Sequence, residues 1–235
     1  MLVVTTSSYG FGVGLVNRNV SDINMGLVMT VVTSSAPRRY HHGNLRAALL
    51  AVAETILERE GIQALTLRAA ARAVGVSHAA PAKHFGDLTG LLSELAAVGF
   101  TRFGAELAGA VDAAGDDPRA RMRAMGRAYV TFARTYPGLF VLMFRGERLD
   151  ATRPALREAI GAARQALRAA ALARAPVRPL PPLQMAAQAA ALWSLVHGFA
   201  MLLLDGRLEG MIESLPGEDA DSLLEAVLAT ARVGD

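Results

Sequence analysis

The spacing of apolar residues is the feature that most limits the folds open to this chain. From residue 44 onward, apolar residues recur at intervals of three and four, as they do along one face of an α-helix. No long stretch alternates apolar and polar residues as a half-buried strand would. The clearest stripe comprises Leu45, Ala48, Leu49, Val52, Ala53, Ile56 and Leu57. The sequence therefore predicts an all-α fold.

Capping residues divide the first part of the pattern into three short helices. The predicted N-caps are Asn44, Thr66 and Ser77, and the predicted C-terminal glycines are Gly61 and Gly75. The third helix is expected from about residue 78 to residue 85. Glycine and proline breaks then predict longer helices at about 88–114, 118–135, 137–145, 152–175, 182–205 and 219–233.

The domain organisation follows from this punctuation. Residues 1–37 are poor in charge and rich in Val, Ser, Thr and Gly, which predicts a disordered extension; Met25 and Met29 are alternative starting residues. Residues 38–87 are expected to form a three-helix domain and residues 88–235 a larger helical domain.

Charge is distributed unevenly along the chain, whose net charge is +3. Residues 37–102 contain eight basic and five acidic residues, whereas residues 206–235 contain two basic and seven acidic residues. Basic charge in residues 37–102 favours binding to an anionic partner such as nucleic acid. An ordinary solvated surface is the alternative.

The two short helices beside residues 75–77 have the size of a helix–turn–helix unit. Ala71 offers a small side chain where the helices would cross, Gly75 tolerates a positive φ, and Val76 can turn into the core. The following helix would then expose short or polar residues to a major groove, among them His78 and Lys83. An ordinary corner between two helices is the alternative interpretation.

The segment TLRAAARAVGVSHAAPAKHF (66–85) lies within residues 38–100, which resemble the N-terminal domain of tetracycline-repressor (TetR) family transcription regulators. The resemblance continues through YVTFA, YPGLF and LMF at 129–144. It ends with Trp193, His197 and Gly198, which are similar to the Trp…His-Gly signature of one branch of that family. It covers about 38–235. It implies a homodimeric, cytoplasmic repressor that binds a palindromic DNA operator and releases it when a small molecule enters the body. No catalysis is implied.

The resemblance also implies which residues contact DNA: Arg38, Arg39, Tyr40, His41, His42, Thr66, Arg68, Ser77, His78, Ala79, Lys83 and His84. For several of these a plainer role is the alternative: a simple N-cap for Thr66, a solvated cation for Lys83, a structural histidine for His84 and a frayed leader for 38–42. Ala82 and Leu88 stand where the family usually has a tyrosine and often a lysine that contact phosphate. The basic arm at 38–42 is expected to supply the missing contacts.

The candidate ligand-binding residues are aromatic, Met and His side chains of the body. They are Phe103, Met122, Met125, Tyr129, Phe132, Phe140, Met143, Trp193 and His197, with Phe100 beside them. Binding pockets are mostly apolar with a few orienting polar groups, so the expected effector is an apolar small molecule. A packed core without a pocket is the alternative, and it would leave a DNA-binding protein with no effector. Gly198 is expected to let two helices approach closely.

The helices at 182–205 and 219–233 carry more apolar surface than a monomer readily hides, which predicts a four-helix dimer interface. Residues 179–204 contain no charged residue, so a membrane-associated protein is an alternative, although no membrane partner is expected. A helical enzyme is a further alternative. The sequence has no cysteine, no HExxH motif and no glycine-rich phosphate loop, so neither a metal nor a cofactor is expected.

Overall fold

All regular structure is helical in the part of the chain that the structure describes, residues 45–172 and 181–230. The computed structural model has a head of three helices: α1 (Leu45–Glu60), α2 (Leu67–Val74) and α3 (Ala80–Phe85). The body comprises α4 (Leu88–Ala113), α5 (Pro118–Thr135), α6 (Pro137–Met143), α7 (Pro154–Leu172), α8 (Pro182–Leu204), α9 (Glu209–Glu213) and α10 (Ala220–Thr230). A 3₁₀ turn lies at Gly146–Arg148. The predicted all-α fold is confirmed. The extension at 1–37, the arm at 38–42 and the cap at Asn44 lie outside the described residues.

The predicted ends of α2 are confirmed. The side chain of Thr66 accepts a hydrogen bond from the backbone N–H of Ala69 at 3.0 Å. Gly75 has φ 77° and ψ 34°, and its N–H donates to the carbonyl of Ala71 at 3.0 Å. The left-handed conformation strains residues that carry a Cβ, so glycine is favoured at this turn.

The start of α3 differs from the prediction: the helix begins at Ala80, and the side chain of Ser77 does not cap it. A helix capped by Ser77 would need the N–H of Pro81 to reach the Ser77 carbonyl, and proline has none. The carbonyl instead accepts from the N–H of Ala80 at 3.0 Å, which makes a turn of residues 77–80. The predicted contact residues His78 and Ala79 therefore lie in a turn before the helix.

Several other predicted boundaries differ from the structure by one or two residues. The helix predicted at 137–145 ends at Met143, and α10 begins at Ala220. The helix α7 begins at Pro154 because proline fits a first turn and disfavours helical dihedrals in the residue before it. The five-residue α9 was not predicted, since so short a helix shows no apolar period.

The 26-residue helix α4 is the centre of the fold. It packs against α1 and α3 on one side of the molecule and against α5, α6 and α7 along the rest of its length. At 1.5 Å per residue it spans about 39 Å. Its buried residues include Leu91, Leu95, Phe103 and Leu107. The head and the body therefore share one core, and the proposed boundary between 87 and 88 falls between helices that pack on each other.

Candidate DNA-binding and effector-binding sites

The seven predicted DNA-contact residues that lie within the described part of the chain are all exposed. They are Thr66, Arg68, Ser77, His78, Ala79, Lys83 and His84. Phe85 is only 1% exposed and Val76 is half-buried against the core, so the apolar residues of the unit face inward as predicted. Within residues 45–172 and 181–230, neither Arg68 nor Lys83 forms an ion pair. Their charges are therefore not neutralised by an acidic neighbour there.

The N-terminus of α2 keeps free hydrogen-bond donors although it is capped. Thr66 accepts from Ala69 through its side chain and from Ala70 through its carbonyl. The first two backbone N–H groups of the helix, those of Leu67 and Arg68, have no partner among the described residues. A helix N-terminus with free donors favours an anion. Capping by Thr66 and contact with a phosphate are therefore compatible.

Ala82 and Leu88, the two residues that depart from the pattern of the resembled family, have different structural environments. Ala82 is exposed and has no polar group to offer. Leu88 is half-buried and packs against the core, at the first position of α4. Replacing this leucine with a lysine would remove core packing at the start of α4.

Nine rings in the body form an aromatic cluster. Its members, each within ring-contact distance of another, are Phe100, Phe103, Tyr129, Phe132, Tyr136, Phe140, Phe144, Trp193 and His197. Tyr129 lies at the centre, with its ring edge-on to Phe103 at 5.0 Å and to Phe140 at 5.7 Å. Edge-to-face pairs of this kind add about 0.5–1.5 kcal/mol beyond their buried area.

A chain of hydrogen bonds connects the three polar rings of the cluster. The indole Nε1 of Trp193 donates to the hydroxyl oxygen of Tyr129 at 3.2 Å. The same hydroxyl lies 2.9 Å from Nδ1 of His197. The tyrosine oxygen accepts from the indole and can donate its own hydrogen to Nδ1. With that bond formed, His197 carries its proton on Nε2.

Burial changes the ionisation of both acceptor groups in this chain of hydrogen bonds. It raises the pKa of Tyr129 well above its usual value, and the hydrogen bond from Trp193 opposes that rise. Burial also lowers the pKa of His197. Both side chains are therefore neutral near pH 7. The Nε2–H of His197 has no partner among residues 45–172 and 181–230, which leaves one donor available to a bound molecule.

Most of the predicted ligand-binding residues belong to the cluster. It contains Phe103, Tyr129, Phe132, Phe140, Trp193 and His197. Of the predicted methionines, Met125 and Met143 are buried in the same hydrophobic core as these rings, and Met122 is half-buried. Phe144 was not predicted as a site residue, yet its ring lies 4.6 Å from that of His197. Its spacing of four from Phe140 was a signal that could have identified it.

The expectation for Gly198 is wrong within the described chain. A Cβ built at this residue would meet no atom within 4 Å, so no helix approaches closely there. Close contacts between helices lie instead at other glycines. A Cβ at Gly126 of α5 would come within 2.6 Å of a methyl of Leu228 of α10, and one at Gly138 of α6 within 2.9 Å of a backbone oxygen of α1. The cause is the exposure of α8: Trp193 is 47% exposed although its indole belongs to the cluster.

The helix α8 is long and apolar enough to cross a membrane by length and composition. An 18-residue stretch of this helix has a mean hydropathy of 1.6, and 17% of the stretch is buried. However, the helix also packs against α5 and α7, and His197 within it hydrogen-bonds to α5. Among the described residues, no cluster of His, Asp or Glu has the arrangement of a metal site.

A helix–turn–helix head joined to a helical body is the architecture of a transcription regulator. Residues 122–231 match the family described as tetracyclin repressor-like, C-terminal domain. The chain is 36% identical to a Rhodococcus sp. RHA1 protein of unknown function, with a TM-score of 0.68, over 83% of this chain and 96% of that one.

Two further solved structures share the fold. One is a TetR family transcriptional regulator, PfmR, from Thermus thermophilus, at 19% identity and a TM-score of 0.55 over 78% of this chain and 96% of that one. The other is the multidrug binding protein EbrR complexed with imidazole, at 21% identity and a TM-score of 0.52 over 88% and 99%. No protein with a curated description matches. The chain belongs to the tetracycline-repressor family of transcriptional regulators. Membership of the branch with the Trp…His-Gly signature stays a prediction.

Proposed function

We propose that the protein is a cytoplasmic, ligand-responsive repressor that binds a palindromic operator as a homodimer and dissociates from it when a small molecule binds the aromatic cluster. The observation that carries this proposal is Nε2 of His197, which has no hydrogen-bond partner within residues 45–172 and 181–230 and lies in a largely apolar set of rings. A few orienting polar groups in an apolar surround are typical of small-molecule sites. The proposed effector is therefore an uncharged, largely apolar molecule with a hydrogen-bond acceptor. No catalytic role is proposed for the site.

The exposed face of α8 supports the homodimer. Leu183 is 81% exposed and Leu202 is 43% exposed, and residues 182–204 contain no charged side chain. Apolar surface of this extent on a soluble protein marks an interface. We propose that α8 and α10 of two subunits cover each other. Gel filtration with light scattering should then give twice the mass of the chain without detergent; a monomer, or protein recovered only with detergent, would contradict the dimer and favour a membrane instead.

The operator follows from the symmetry of such a dimer. A two-fold axis places one head on each side, so two half-sites should be related by inversion and lie about 34–36 Å apart, one turn of DNA. The test is selection of bound sequences from random duplexes by the full chain. Enriched inverted repeats at that spacing are the expected result. Failure to enrich any duplex, even at low salt, would overturn the proposal.

Lys83 is the only lysine in the chain, and we propose that it contacts a phosphate of the operator. Lys83→Ala should then weaken binding and reduce the slope of log K against log salt by about 1. Arg119, on α5 of the body, provides the matched control, since its replacement removes the same charge far along the chain. An equal slope for Lys83→Ala and wild type would exclude Lys83 from the contacts.

A further inference from the structure

The short helix α6 touches both the aromatic cluster and the head. Phe140, in the middle of α6, makes ring contacts with Tyr129 at 5.7 Å and with His197 at 5.6 Å. Two residues earlier, at the start of the same helix, the backbone is bound by a side chain of α1. One path from the cluster to the head therefore runs through this helix of seven residues.

Glu58 of α1 provides the cap of α6. Its carboxylate accepts hydrogen bonds from the backbone N–H groups of Gly138 at 2.9 Å and Leu139 at 2.8 Å. Tyr136, the residue in the N-cap position, makes no side-chain cap of its own. A carboxylate at a helix N-terminus is favoured both by the hydrogen bonds and by the helix dipole. The position of α6 thus depends on a residue of the head.

The two helices also meet at the level of the backbone. A Cβ built at Gly138 would lie 2.9 Å from the carbonyl oxygen of Leu57 and 3.2 Å from Glu58. There is no room for α6 to move closer to α1. Any displacement of α6 must therefore either carry the end of α1 with it or break both hydrogen bonds to Glu58.

A second carboxylate of α1 also reaches the body. Glu54, one turn before Glu58, forms a two-pronged pair with Arg102 of α4, with N–O distances of 2.6 and 3.2 Å. The Arg102 guanidinium lies 4.6 Å from the centre of the Tyr136 ring, so this pair contacts the cluster by a different route. Glu60, at the end of α1, is exposed, and its side chain forms no hydrogen bond or ion pair within residues 45–172 and 181–230. It is therefore an acidic residue of the same helix without a contact to α6 or to the cluster.

We propose that Glu58 is the positioning residue through which the state of the aromatic cluster reaches the DNA-binding head. A ligand that displaces the ring of Phe140 shifts α6, and Glu58 transfers that shift to α1 and so to the helix–turn–helix unit packed on it. This inference rests on the proposed function. Because coupling between two sites is reciprocal, binding of DNA to the head must also change the cluster through the same contact.

Reciprocity allows a test that needs no effector. Trp193 is the only tryptophan in the chain and belongs to the cluster, so its fluorescence reports on the cluster directly. The probe is a duplex selected from the random pool described above. In the wild type, saturating duplex should change the emission of Trp193. In Glu58→Gln, which keeps one acceptor oxygen but loses the charge and one hydrogen bond, that change should fall by about half or more.

Glu60→Gln is the matched control and should keep the full fluorescence response. Neither carboxylate is proposed to touch DNA, so both variants should still bind the duplex. Gly138→Ala perturbs the same contact without changing charge and should also reduce the response. Gly109→Ala, where a Cβ meets nothing within 4 Å, is its control.

Each outcome decides the question. A wild-type protein that binds the duplex with no change at Trp193, or a Glu58→Gln response equal to that of Glu60→Gln, would overturn the inference. If circular dichroism shows that Glu58→Gln and Gly138→Ala both fail to fold, amide hydrogen exchange at Gly138 and Leu139 of the wild type is measured instead. Binding of the duplex should alter the protection of these two amides, and unaltered protection would also overturn the inference. If no duplex binds the wild type, the proposed function fails instead.

Discussion

Removing the hydroxyl of Tyr129 should destabilise the protein out of proportion to the single atom lost. The side chain is fully buried, and its oxygen links Trp193 to His197. Phenylalanine would fill nearly the same volume, so packing in the cluster is conserved. The effect of Tyr129→Phe therefore isolates the hydrogen bonds from the ring contacts.

The magnitude depends on how far water can replace each lost partner. A buried polar group left unpaired costs about 1–3 kcal/mol. Trp193 is 47% exposed, so water can reach an indole that loses its acceptor. His197 is half-buried and loses the donor to Nδ1. We therefore expect a total loss in the lower half of the range, about 1–2 kcal/mol. For a chain of this size each kcal/mol lowers Tm by roughly 2–4 °C.

The assay is thermal and urea unfolding at one fixed protein concentration, because dimerisation makes stability depend on concentration. Tyr136→Phe is the matched control within the same cluster. Tyr136 is half-buried, and its hydroxyl has no hydrogen-bond partner in the described part of the chain. It should change stability by less than about 0.5 kcal/mol. Equal losses for the two variants would refute the role assigned to the hydrogen-bonded chain.

Two more predictions concern packing and pH. Gly126→Ala should destabilise the protein by about 1–3 kcal/mol, because the new Cβ would lie 2.6 Å from Leu228. Calorimetry checks this against the control Gly109→Ala, where a Cβ would meet no atom within 4 Å. Equal effects of the two substitutions would contradict the prediction. The lowered pKa of His197 means that the unfolded chain binds its proton first as pH falls. The stability that neutral His197 confers is thus complete above its unfolded pKa of about 6.5 and is lost below it. His197→Gln should make the urea midpoint fall less steeply between about pH 7 and 5; an unchanged slope would argue against burial of neutral His197.

The helices of this fold were predictable because their signals are local. Apolar spacing and capping residues act within one or two turns, and Thr66 and Gly75 have the roles that their chemistry favours. The start of α3 could also have been derived, because Pro81 removes the N–H that a cap at Ser77 would need. The short α9 could not, because five residues present neither a stripe nor a clear cap.

The candidate site was predictable in its members but not in its connections. Tyr129, Trp193 and His197 were expected together, yet nothing in their spacing indicates that one hydroxyl joins the other two. That geometry depends on how α5 and α8 pack, which involves residues 64 and 68 positions apart in the chain. Nor does the sequence indicate that Trp193 remains half exposed, since exposure of α8 depends on what covers it.

Charged residues between helices were not identified from the sequence, and Arg153 shows why. It precedes α7 in an irregular segment, yet one of its guanidinium nitrogens donates to the carbonyl of Phe85, the last residue of α3, at 2.7 Å. The space for it exists because Gly90 has no side chain: a Cβ there would lie 2.8 Å from the guanidinium carbon. Arg153 also lies 3.7 Å from Glu94 of α4. The segment that contains α6 is thus bound to the head at both ends, by Glu58 of α1 before it and by the end of α3 after it. Side chains thus connect residues 138–153 to two of the three head helices, and neither contact depends on a motif.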